Sequence, residues 1–244
     1  TLDKYLRENI HDKYALEMLA YRFSLLASWL IPQPFAHGDL KPDNILVRDN
    51  GSLVLVDYDG MFVPTMKGQK ARELGSPDFR HPLRTENDYD EHIDDFSIAS
   101  ILLSLKAIAI NPQLLDEYGA TDRLLLSEKD AQDISQCRLL KDIFPSNEPE
   151  LNRIVSLFTI ALTETSLSHV SFRLLHMNKP NITFVSDALF EEIEEITKGE
   201  FEKTNNLFEV IDEVLSTLVT DIDLAEAWVD EFGARYSIDR ERLL

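Results

Sequence analysis

Disulfide chemistry is closed to this chain. Its 244 residues hold a single cysteine, Cys137, which excludes an internal disulfide framework and fits a reducing compartment. Long apolar runs are missing too. The longest, Ile98 to Ile110, is short for a bilayer span and carries Lys106, so no membrane partner is expected. No charged-then-apolar signal segment opens the sequence, and the expected location is cytoplasmic. Positive charge is scarce: 24 Lys and Arg against 44 Asp and Glu give a formal net charge of −20. Nucleic acid and anionic lipid both need a basic face, so both are excluded as partners. Internal repeats and low-complexity segments are absent as well. The chain opens at Thr1, without an initiator methionine and inside a helical pattern, as a processed, excised or cropped piece would.

The 44% apolar and 28% charged content is that of a globular protein, and the length suits one large domain or one domain with an extension. Acidity is concentrated at the end. Residues 185–244 hold 17 acidic and five basic side chains, which is −12 of the total. Such a run reads as a solvated helical face or as a docking surface for a basic partner.

Helical periodicity dominates. Leu2 to Arg7 predicts a short helix, and His11 to Ile31 a long one with Leu16, Leu19, Phe23, Leu26 and Leu30 on one face. Pro32 and Pro34 end it. Asn44 to Arg48 and Leu53 to Val56 predict a hairpin turned by Asp49-Asn50-Gly51-Ser52, because Asn-Gly tolerates the dihedrals of a tight turn. Residues 57–92 read as loop. Ile93 to Ile110 is apolar nearly all round and predicts a buried central helix. Further helices are expected at Gln113–Tyr118, Glu128–Phe144, Glu150–Thr163 and Ser171–Met177. The acidic quarter adds Ala188–Ile196, an amphipathic helix from Phe201 with a stripe through Leu207, Val210, Ile211, Val214, Leu215 and Leu218, and a last one at about Asp221–Phe232. The expected fold class is mainly α with one small β-hairpin.

The polar residues at the ends of that hairpin carry the chemistry. Phosphoryl transfer from ATP needs a carboxylate to orient the attacking hydroxyl, a cation for the transferring phosphate and oxygen ligands for magnesium. Asp39, Lys41 and Asn44 stand in one loop before the first strand. Asp57 follows the second strand, 18 residues beyond Asp39. A hairpin folds the chain back, so Asn44 and Asp57 are expected near each other.

His37-Gly38-Asp39-Leu40-Lys41-Pro42-Asp43-Asn44 resembles the catalytic loop of protein kinases, His-Arg-Asp-Leu-Lys-x-x-Asn. Asp57-Tyr58-Asp59-Gly60 resembles their Asp-Phe-Gly, at the family's interval. Gly75-Ser76-Pro77-Asp78-Phe79-Arg80-His81-Pro82 is similar to the segment closing the activation loop, and Asp94-Asp95-Phe96-Ser97 to the start of the central helix. Four motifs in order over about residues 37–100 are specific where one would be weak. Leu55 to Pro64 and His81-Pro82-Leu83-Arg84 further resemble a group of bacterial protein-kinase-like proteins.

The resemblance implies a protein kinase-like C-terminal lobe over 1–180, with an acidic helical extension over 181–244, and ATP and Mg2+ as cofactors. It implies Asp39 as catalytic base, Lys41 as the phosphate-contacting lysine, and Asn44 and Asp57 as magnesium ligands. Asp94, with Asp95 competing, would brace the catalytic loop. His37 would be a packed anchor, and Gly75, Ser76 and Pro77 part of the activation segment. Lys41 two residues after Asp39 favours Ser/Thr specificity, with a protein hydroxyl as substrate.

Departures qualify this. Gly38 replaces the family's Arg, so phosphate-driven ordering of the activation loop through that Arg, at Thr65 or Ser76, is not expected. Asp59 replaces Gly and either adds to a metal site or faces water. Leu83 and Arg84 stand where a Glu would anchor the activation segment. No Gly-rich loop or strand lysine precedes residue 37; the N-terminal lobe that covers ATP is a missing partner, and residues 1–244 alone are expected to be inactive. A pseudokinase or scaffold is the competing reading. A small-molecule phosphotransferase, whose loops also read His-Gly-Asp, is the third.

Overall fold

The computed structural model describes residues 1–164, 166–168, 170 and 174–180. The chain divides into two units, Thr1–Met177 and Asn178–Leu244. The first is described below. The helices expected beyond residue 180 lie outside the described residues.

Helices form where apolar residues recur at helical spacing and a cap is available. α1 (Leu2–Glu8) starts on Thr1, whose hydroxyl accepts from the Lys4 amide, and carries the Asp3–Arg7 pair one turn apart. α2 (Lys13–Leu30) starts on Asp12, which accepts from the Ala15 amide at 3.0 Å. β1 (Ile45–Val47) and β2 (Leu53–Leu55) pair antiparallel, with Ile45 opposite Leu55. Asn44 falls in the preceding Pro42–Asn44 3-10 turn rather than in the strand, since Pro42 suits the first position of a helical turn. The hairpin closes through Arg48 and Ser52, and Arg22 of α2 donates to the Asn50 carbonyl at 2.6 Å.

α3 (Asp95–Ile110) is the core. All but two of its side chains, Lys106 and Ile110, are buried, and it packs on both α2 and α7 (Pro149–Thr163). Each fully buried Leu, Ile or Phe there contributes roughly 1.5–3 kcal/mol of apolar transfer. Two of the three serines in this helix spend their hydroxyls on carbonyls: Ser104 donates to the Ser100 carbonyl, and Ser97 to the Phe79 carbonyl. Lys106 meets Glu150 of α7 at 2.6 Å in largely buried surroundings, and Phe96 packs on Phe158. α7 buries Leu151, Ile154, Val155 and Phe158 on one stripe.

Between α3 and α7 lie α4 (Gln113–Tyr118), α5 (Glu128–Gln132) and α6 (Arg138–Ile143). The single helix expected over Glu128–Phe144 is therefore broken. Asp133 turns its carboxylate onto the Ser135 amide and hydroxyl, and this local bond competes with helix continuation. Two proline-led 3-10 turns, Pro64–Met66 and Pro77–Phe79, interrupt the expected loop. The helix expected over Ser171–Met177 falls partly outside the described residues, and 174–177 form no α-helix. Among the described residues no helix is long and apolar enough to cross a membrane.

Candidate active site

Two loops face each other across the open end of the hairpin, and backbone bonds pin them at both ends. On one side the Val56 amide donates to the Asn44 carbonyl at 2.9 Å. On the other, Ala36 and Phe62 exchange both backbone bonds, at 3.1 and 2.9 Å. Phe62 is buried with Ala36 and Ile93, its ring edge-on to Tyr89. Segment 37–43 is thereby held against segment 57–61. At the middle of the contact a Cβ on Gly38 would lie 2.0 Å from the Gly60 carbonyl oxygen, and Gly38 has φ +87°. Only glycine meets both demands. That is the physical reason for Gly38 where the kinase pattern has arginine.

The buried His37 donates from Nε2 to the Val56 carbonyl at 2.8 Å, and its Nδ1 is buried without a hydrogen-bond partner. Its ring also packs on Tyr58. The contacts of His37 are those of a loop anchor. Asp94, only 4% exposed, accepts from the His37 amide and, at 2.9 Å, from the Gly38 amide. It occupies the N-cap position of α3 but caps nothing there with its side chain. Burial pushes its carboxyl up, against the opposing pull of the two amides and of Arg84. Asp95 serves elsewhere: it accepts from the Leu167 amide and pairs with His92 at 3.5 Å.

Asp39 is the hub of the polar constellation. One carboxylate oxygen takes Lys41 Nζ at 2.7 Å and Asn44 Nδ2 at 3.3 Å; the other takes the Ser76 amide at 2.7 Å. Lys41 Nζ also donates to Ser76 Oγ at 3.1 Å. Burial on its own raises the Asp39 carboxyl, but the bonds from Lys41 and Ser76 outweigh it and leave the group below the usual carboxylate range. Asp39 is therefore an acceptor-only carboxylate at neutral pH. Asn44, buried, spends Nδ2 on the Asp39 carbonyl at 2.9 Å, which leaves the amide oxygen Oδ1 available as an acceptor.

Asp57 is exposed and has φ 67°, the one described non-glycine residue with positive φ. A carboxylate held in that sparsely populated region is a feature of functional loops. Asp59 is exposed beside it. Among the described residues no group of three or more His, Cys, Asp or Glu is placed to hold a metal ion. The oxygen donors at the mouth of the hairpin are Asn44 and Asp57.

Gly75, Ser76 and Pro77 come in over Asp39. A Cβ on Gly75 would lie 2.8 Å from the Gly38 carbonyl oxygen and 3.2 Å from Asp39 Oδ1. Pro77 starts the 3-10 turn that ends in buried Phe79. The structure bonds Asp39, Lys41, Asn44 and Ser76 together, holds the His37 and Gly38 amides on Asp94 and sets Gly75 close against Asp39, with Asp57 following Val56 in the chain.

No family model matches the chain. Among curated proteins it is similar to the serine/threonine-protein kinase sgk-1 of Caenorhabditis elegans, at 28% identity over 106 residues. The match covers 42% of this chain and 22% of that kinase, so the chain spans well under half the length of this relative. The coarse statement that follows is a kinase-like relationship over part of a mainly helical lobe.

One site residue escaped the sequence reading. Arg84, half-buried, donates from Nη1 to the Gly38 carbonyl at 3.0 Å. The motif comparison marks its position only as the place of a missing Glu. Nothing in spacing or charge pattern points a lone arginine in a loop at a carbonyl 46 residues earlier.

Proposed function

We propose that this chain is the catalytic lobe of an ATP- and magnesium-dependent Ser/Thr-type protein kinase, nearest in kind to the bacterial protein-kinase-like group. The observation that carries this reading is the convergence on Asp39 of Lys41, Asn44 and Ser76, with Asp57 delivered to the same end of the hairpin. Similarity to a Ser/Thr kinase over 106 residues supports it. A cytoplasmic location is part of the proposal.

The donor set fits a magnesium ion shared with phosphates. Asn44 Oδ1 and one Asp57 carboxylate supply two hard oxygen ligands, few enough to leave positions for phosphate and water. When bound, magnesium ATP supplies the transferable phosphoryl group and its charge neutralisation. The chain's residues do the rest. Asp39, ionised at neutral pH, accepts the hydrogen bond of an incoming hydroxyl and receives its proton. Lys41 leaves or shares its bond to Asp39 to meet phosphate oxygen, worth more there because the site is partly desolvated. Asp94 fixes the amides just before Asp39, so the base is positioned in advance.

The test uses the natural full-length protein: magnesium-dependent ADP release and autophosphorylation, for wild type and Asp39→Asn. Loss of about 10²–10⁴-fold in turnover is expected for the mutant. A scaffold is the second reading, favoured by the net −12 of residues 185–244 as a surface for a basic partner; nucleotide binding without turnover in either protein would establish it. Turnover seen only with a small alcohol or amino alcohol would instead identify a small-molecule phosphotransferase.

A further inference from the structure

The structure assigns Arg84 as a positioning residue for Asp39, acting through the peptide that joins Gly38 to it; this rests on the phosphotransfer reading above. The Gly38 residue is gripped from both sides by opposite charges. Its amide is held by the Asp94 carboxylate at 2.9 Å, and its carbonyl by the Arg84 guanidinium at 3.0 Å. That carbonyl belongs to the same rigid peptide plane as the Asp39 amide, so fixing it fixes the backbone from which the carboxylate projects. No Cβ assists, because Gly60 occupies the space where one would stand. Orientation therefore depends on these polar holds.

The bond to the Gly38 carbonyl is the one the Arg84 guanidinium makes. Its Nε and Nη2 are buried and have no hydrogen-bond partner, and burial pulls the guanidinium below its usual range, against the raising influence of Asp94 and Asp39. Leaving donors buried and unmatched costs free energy, and the bond to the Gly38 carbonyl is what the guanidinium gains in return. Arg84 also closes a tight turn, its amide donating to the His81 carbonyl at 2.9 Å, while its neighbour Leu83 is 77% exposed. The arginine thus ties the end of the activation-like segment, residues 75–84, to the loop carrying Asp39.

The experiment compares Arg84→Met, Arg84→Lys and wild type in the full-length protein. Four readouts are needed: magnesium ATP turnover against pH, magnesium ADP affinity, thermal midpoint, and amide hydrogen exchange at Gly38 and Ser76. Arg84→Met is expected to lower turnover by about 10²-fold, the usual effect of misplacing a reacting group by an ångström. ADP affinity should stay within about twofold, since Asn44 and Asp57 are untouched, while the thermal midpoint should fall, because buried Asp94 loses the cation beside it. The acid limb of the pH profile should move upward, because a cation near Asp39 is gone, and Arg84→Lys should restore part of the turnover. Unchanged turnover, or a loss of turnover matched by an equal loss of ADP affinity, would overturn the assignment. If wild type and Asp39→Asn do not differ, the phosphotransfer reading fails separately. The exchange data then decide: faster exchange at Gly38 and Ser76 in Arg84→Met upholds the positioning role, and unaltered exchange rejects it.

Discussion

Gly38→Ala tests the central contact of the site, and its cost can be worked out in two parts. The residue sits at φ +87°, where an L side chain costs about 1–2 kcal/mol. The added Cβ would also stand 2.0 Å from the Gly60 carbonyl oxygen and 2.6 Å from its carbon. Both are backbone atoms, so the loops must separate, an overpacking cost of about 1–3 kcal/mol. The sum, about 2–5 kcal/mol, is a large part of the ~5–15 kcal/mol that holds a typical domain folded. At ~2–4 °C per kcal/mol it lowers the melting temperature by about 5–20 °C. Gly68 supplies the control. Its φ is +84°, but a Cβ there meets nothing within 4 Å, so Gly68→Ala should lose only the conformational part, about 1–2 kcal/mol. Urea denaturation of both variants, with equal m-values, gives the difference directly. If Gly38→Ala proves no more destabilising than Gly68→Ala, the close approach of the two loops is wrong. So is the explanation for glycine in place of the kinase arginine.

Other expectations follow from the same network. Asp94→Ala removes the acceptor of two buried amides and leaves Arg84 without its nearest opposite charge; a loss of about 3–5 kcal/mol is expected by thermal denaturation. Lys106→Met removes the cation that meets Glu150 in the α3–α7 contact, at about 3–5 kcal/mol, whereas Lys106→Met with Glu150→Leu should recover most of it; a double-mutant cycle reads the coupling. Asp39 has a depressed carboxyl, so its contribution is present above the unfolded value of about 3.9 and is lost as pH falls through the lower folded value. Acid titration of stability should lose that step in Asp39→Asn. His92 is raised, mainly by its bond to Asp95. Its contribution is full below about pH 6.5 and disappears as pH rises through the folded value; His92→Gln should flatten that decline in melting temperature.

Some elements were legible because their cause is local. Periodic leucines are enough to write most of α2, although its start at Lys13 after the Asp12 cap came from the structure, and an apolar surface on all sides is enough to bury α3. The Glu128–Phe144 stretch was misread as one helix because its apolar spacing continues past Asp133, while the side-chain bond that interrupts it does not register in periodicity. The proline-led turns of 57–92 were read as plain loop for a similar reason: three residues are too few to show a period.

By itself the sequence determined the residue types of the site and their order, because Asp39, Lys41, Asn44 and Asp57 lie close along one hairpin and a hairpin has only one way to bring its ends together. Choosing between Asp94 and Asp95 needed the tertiary structure, since adjacent residues on a helix start point in different directions and only packing says which reaches the Gly38 amide. So did the bond from Arg84 to Gly38. It joins segments that no periodicity relates, and it exists only because α3 and residues 75–84 close over the loop from opposite sides of one peptide.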